Sequence, residues 1–79
     1  MEQNERVSYV VRMLGRTDQF VVAAQLGYVK LYDARNKFDR LVGGYLGWES
    51  APRLELVKVV RHLDDDMVDV VRLDYWDNV

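Results

Sequence analysis

The sequence predicts an α+β domain: a small three-stranded antiparallel sheet with one broken or two short helices, in the order β-α(α)-β-β. Three observations predict it. Residues 6–14 alternate between apolar and mixed positions, residues 20–48 carry apolar side chains at helical steps, and beyond Pro52 β-branched runs return. With 79 residues there is material for one core only, so residues 1–79 are read as a single domain.

In the first strand Val7, Tyr9, Val11 and Met13 share one side, opposite Ser8, Val10, Arg12 and Leu14. Gly15 and Arg16 break this alternation. Thr17 followed by Asp18 suits a helix N-cap and an acidic first turn, which places a helix start there.

Phe20, Ala24, Gly27, Leu31, Ala34, Phe38, Leu41, Tyr45 and Trp48 then follow one another in steps of four and three, the spacing of one helical face. An unbroken helix of that length would span about 45 Å, too long for this domain, so a break is expected near Gly27 or within residues 33–37. The β-rich stretches 20–24 and 28–32 leave a second reading open, two short strands with Gly27 in the turn. The helical reading is preferred.

Gly43, Gly44 and Gly47 mark the end of the helical pattern, and the segment Glu49 to Pro52 is a loop. Residues 54–62 and 67–75 read as the two strands of a hairpin, joined by Leu63-Asp64-Asp65-Asp66. Four residues without glycine indicate a loop built on a type I turn. This hairpin is apolar on both faces, whereas a sheet covered on one side needs a single apolar face. Val57, Val59, Val68 and Val70 are therefore expected to face away from the helices and to form a homodimer or partner interface.

Composition narrows the function. Apolar residues make up 49% and charged residues 30%, and cysteine is absent, which excludes disulfides and Cys-ligated zinc. The first residues, MEQNERV, are acidic where a secretion signal is basic and apolar, and the longest apolar run is five residues. A cytoplasmic location without membrane contact is expected.

Catalysis is not expected, nor is any cofactor or metal. His62 is the sole histidine, and Ser8, Thr17 and Ser50 sit in no nucleophile motif. Asp64, Asp65, Asp66 and Asp69 lack the alternation, the glycine and the final glutamate of a calcium loop. The glycine-rich LVGGYLGWES lacks the lysine of a phosphate-binding loop.

Charge is unevenly distributed. Residues 1–63 carry a net +3, whereas residues 64–79 set Arg72 against Asp64, Asp65, Asp66, Asp69, Asp74 and Asp77, a net −5. Asp64, Asp65, Asp66, Asp69, Asp74, Tyr75 and Trp76 form the candidate partner-binding patch, since aromatics ringed by carboxylates suit a protein with a basic surface. A non-catalytic inhibitor of phage or plasmid type, occupying a basic surface of a nucleic-acid-handling complex, fits that description. The alternative is a nucleic-acid-binding regulator. Residues 28–40 interleave Tyr28, Lys30, Tyr32, Arg35, Lys37 and Arg40, and Tyr9, Arg12 and Arg16 extend the pattern. Against it stand the acidic isoelectric point and the carboxylates of Asp33 and Asp39.

Overall fold

The computed structural model describes residues 4–15 and 22–77. The elements follow the order β1 (Glu5–Leu14), β2 (Val22–Tyr28), α1 (Leu31–Tyr45), β3 (Arg53–His62) and β4 (Val68–Trp76). The four strands form one sheet in the spatial order β2-β1-β3-β4, with every neighbouring pair antiparallel.

The fold class read from the sequence is corrected in two respects. Among the described residues the sheet has four strands, in the order β-β-α-β-β, and the one helix is continuous. Val22–Tyr28 is a strand because β1 supplies an antiparallel partner, from Tyr9 opposite Tyr28 to Leu14 opposite Val22, with a register shift between Met13 and Leu14. Ala24 and Gly27 had matched the helical spacing, but small residues fit either period, and Gly27 is a poor helix former. The expected helix start at Thr17 and Asp18, and Phe20 with it, lie outside the described residues.

The helix begins after Lys30, which is extended, and Ala34 N–H bonds to Lys30 O at 3.2 Å. Asp33 lies in the first turn, where its charge favours the helix dipole. Leu31, Ala34, Phe38, Leu41 and Tyr45 keep the predicted spacing, and α1 runs through residues 33–37 without a break. Gly43 and Gly44 lie inside α1; the chain turns at Gly47, whose φ of 87° suits glycine.

The helix packs on one face of the sheet. Ala34 and Phe38 meet Val11 of β1 and Leu54 and Leu56 of β3, with Tyr9, Met13, Tyr28, Leu41, Val42, Tyr45 and Trp76 around them. The opposite, outer face carries Ser8, Val10, Arg12 and Leu14, together with Glu55, Val57, Val59 and Arg61 in register beside them. A helix of fifteen residues spans about 22 Å, against about 33 Å for a ten-residue strand, so the sheet outruns its cover. Far from the helix, apolar residues are accordingly exposed on both faces: Val7 and Val71 on the inner, Val68 and Val70 on the outer.

Candidate functional site

The β3–β4 hairpin holds the predicted acidic patch, and its strands lie within a residue of the expected bounds. Three residues, Leu63 to Asp65, form the turn; Asp66 then adopts a left-handed φ of 61°. Aspartate tolerates that conformation better than most residues. Asp65 Oδ1 accepts a hydrogen bond from Met67 N–H at 3.1 Å, the pattern of an Asx turn. His62 N–H closes the hairpin on Met67 O at 2.8 Å.

The predicted patch does not stay together. Asp64, Asp65 and Asp66 sit at the hairpin tip, and Asp69 lies 2.7 Å from His62 Nε2. That contact raises the His62 pKa above its ordinary value; desolvation opposes it, and the charges of Asp69, Glu5 and Asp65 reinforce it. Asp74 lies further along β4, on the inner face, where Arg35 Nη1 donates to its Oδ2 at 2.6 Å and Tyr75 N–H to its Oδ1 at 2.8 Å. The Arg35 bond first, then the Tyr75 bond, hold the Asp74 pKa below its usual value, although desolvation opposes them. Trp76 packs against the core beside Leu54, and Tyr75 lies on the outer face under the Arg72 guanidinium, 4.6 Å from its ring centroid. At about 3.3 Å per residue, Trp76 is about 23 Å from Asp69. The patch is thus an acidic tip and a separate, internally engaged far end.

Val57, Val59, Val68 and Val70 do share the outer face, since Val59 opposes Val70 and Arg61 opposes Val68. Val57 is already buried by its own chain at 1% exposure, between its cross-strand neighbours Val10 and Arg72. Val68 and Val70 are about half exposed, and Val59 is intermediate.

Two arrangements escaped the sequence reading. The first is Glu55, a buried carboxylate on the outer face. Arg72 Nε and Nη2 approach its Oε2 at 2.7 and 2.6 Å, and Arg12 Nη1 stands 3.6 Å from its Oε1. A charge in each of three strands was the available signal, but only the register aligns Arg12, Glu55 and Arg72. The second is an open cleft of about 330 Å³ between the end of β2 and α1, lined by Tyr28, Asp33, Asn36, Lys37 and Arg40. It gathers part of the aromatic and basic stretch. Arg12 and Arg35, from the same pattern, are held by Glu55 and Asp74.

Among the described residues no group of three or more His, Asp or Glu side chains is placed to hold a metal ion, and no helix is long and apolar enough to cross a membrane. The fold and the hairpin define a small α+β domain built on a four-stranded antiparallel sheet. No family model, curated protein or solved structure matches the chain.

Proposed function

We propose that this chain is a non-catalytic protein-binding domain whose β3–β4 hairpin engages a basic surface of another protein. One observation carries the reading. Val68, Val70, Val71 and Leu73 are exposed on the same hairpin that presents Asp64, Asp65, Asp66 and Asp69. Exposed apolar anchors beside an acidic tip combine desolvation energy with electrostatic guidance. A basic surface of a nucleic-acid-handling complex is the target this charge suits, and an inhibitor of phage or plasmid type is the role we assign. Capture from the native host, with and without nuclease, separates a protein partner from nucleic acid. Changing Asp64, Asp65 and Asp66 together to Asn should weaken binding and flatten its salt dependence, because such contacts are screened over about 8–10 Å. Unchanged affinity would exclude the tip. A second copy covering Val59, Val68 and Val70 is the self-association we propose alongside.

A second reading, a nucleic-acid-binding regulator, is favoured by the cleft that brings Tyr28, Lys37 and Arg40 together. A stacking ring with two cations suits a single strand, and Asp33 in the same cleft opposes it. Binding of a labelled single-stranded oligonucleotide, abolished by Lys37→Glu with Arg40→Glu, is its test.

A further inference from the structure

We infer that the outer edge of β4 accepts an extended basic segment of a partner as a fifth strand of the sheet. This rests on the protein-binding reading and adds to it how the partner docks and what chemistry it carries.

Among the described residues β4 pairs with β3 alone, so one side of its backbone is open. His62 N–H bonds to Met67 O and Leu63 N–H to Asn4 O, so along β3 the even-numbered residues turn their backbone groups to β4 and the odd-numbered ones to β1. The alternation carries across the ladder. Asp69 and Val71 face β3, whereas the N–H and C=O groups of Val68, Val70 and Arg72 point off the sheet. A register shift between Leu56 and Val57 ends the regular ladder on the far side, leaving Val68 to Arg72 as a straight open edge.

Edge strands are commonly blunted by lysine, proline, shortness, a bulge or inward-pointing charges. β4 has nine residues and neither lysine nor proline, its register shift lies beyond Val68 to Arg72, and that open stretch exposes Val68, Val70, Val71 and a single inner-face charge, Asp69. The other edge, β2, is shorter, and its described side chains, Gln25 to Tyr28, carry no charge.

Charge selects the occupant. The turn acids flank the edge at one end and Asp69, paired with His62 but 65% exposed, lies within it, while the edge's cation, Arg72, is already held by Glu55. A second copy would bring two segments of net −5 alongside each other, and like charges across a ladder destabilise it. A basic chain meets the opposite sign. Its apolar side chains would lie beside Val68 and Val70 on the outer face and its Lys or Arg beside Asp69 on the inner, so the matching sequence alternates apolar and basic residues.

The test uses three nine-residue peptides on the full chain: alternating Lys and Val, alternating Glu and Val, and the Lys/Val peptide N-methylated at every second residue. The Lys/Val peptide should slow amide exchange of Val68, Val70 and Arg72 at least tenfold, the Glu/Val peptide should not bind, and N-methylation should weaken binding at least tenfold at unchanged charge. Val70→Pro removes one outward N–H without breaking the β3 ladder. It should cost the same tenfold with circular dichroism unchanged. Equal affinity of the N-methylated peptide, or binding without protection of those amides, overturns strand addition. So does protection that grows with protein concentration in the absence of peptide and persists in Val59→Lys, which assigns the edge, and not the outer face, to a second copy. If both Lys peptides bind equally and the Asp64, Asp65, Asp66→Asn variant loses them, strand addition fails while the acidic-tip reading stands. If neither binds and capture recovers only nucleic acid, both fail.

Discussion

Arg35 of α1 and Asp74 of β4 are joined by a 2.6 Å hydrogen bond, which ties the helix to the edge strand on the side where the sheet is covered. The pair explains why Asp74 does not belong with the acidic tip: its charge is spent inside the chain, 39 residues from its partner in sequence.

Asp74→Asn should therefore destabilise the fold and leave binding of a basic partner nearly unchanged. Both side chains are about 40% exposed, so solvent screening limits the loss to about 1 kcal/mol or less. The folded pKa of Asp74 is depressed, so its contribution is present above the unfolded value near 3.8 and is lost as pH falls through the folded value below it. Urea midpoints of the two proteins should differ at pH 6, and the gap should narrow as pH falls below 3.8. A gap of constant size throughout an acid titration would show that charge is not its cause.

Glu55 should matter more. It is 8% exposed, and its two oxygens face different arginines, so Glu55→Ala strands Arg12 against the sheet, where its Nε is already buried without a hydrogen-bond partner. Loss of charge-assisted hydrogen bonds of this kind costs about 1.5–3 kcal/mol. Chemical denaturation is the measurement, and a change below about 0.5 kcal/mol would mean that Arg12 and Arg72 find water instead.

The strands Glu5–Leu14, Arg53–His62 and Val68–Trp76 were legible because each carries its own signal, alternation or a β-branched run bounded by turn residues. Val22–Tyr28 was not. VAAQLGY has no strict alternation, its small residues satisfy a helical period by default, and its strand identity comes from β1 beside it. The acids of the turn were legible as a cluster, since a hairpin tip keeps neighbours in sequence together. What lay beyond them was not. Asp74 and Trp76 point to the helix face and Tyr75 to the other, a division set by the register shift opposite Val57 and by Arg35, neither of which the local sequence announces.

Self-association through the outer face is expected at high micromolar concentration. Val59, Val68 and Val70 lie together there, and burying such side chains contributes about 1.5–3 kcal/mol each when complete. Light scattering should give a mass rising from 9.3 kDa towards twice that value, and Val59→Lys should return a folded monomer. A constant 9.3 kDa across the range would leave the face to a foreign partner.

The last expectation joins pH to binding through His62 and Asp69. Their 2.7 Å contact raises the folded pKa of His62, so the stabilisation it lends the hairpin is complete below the unfolded value near 6.5 and disappears as pH rises through the folded value above it. Binding should run the other way. Protonated His62 offsets Asp69 at the tip, and its loss of charge on raising the pH leaves the hairpin more acidic, which favours a basic partner. A proton titration of His62 followed by NMR should therefore give a midpoint above 6.5, returning towards 6.5 in Asp69→Asn. Calorimetric affinity for a basic partner should rise through that same midpoint. His62→Ala should remove the pH dependence, leave binding at high pH intact, and abolish no activity, because no catalytic role is proposed for this imidazole. A folded His62→Ala protein that has lost its function at every pH would refute the non-catalytic reading.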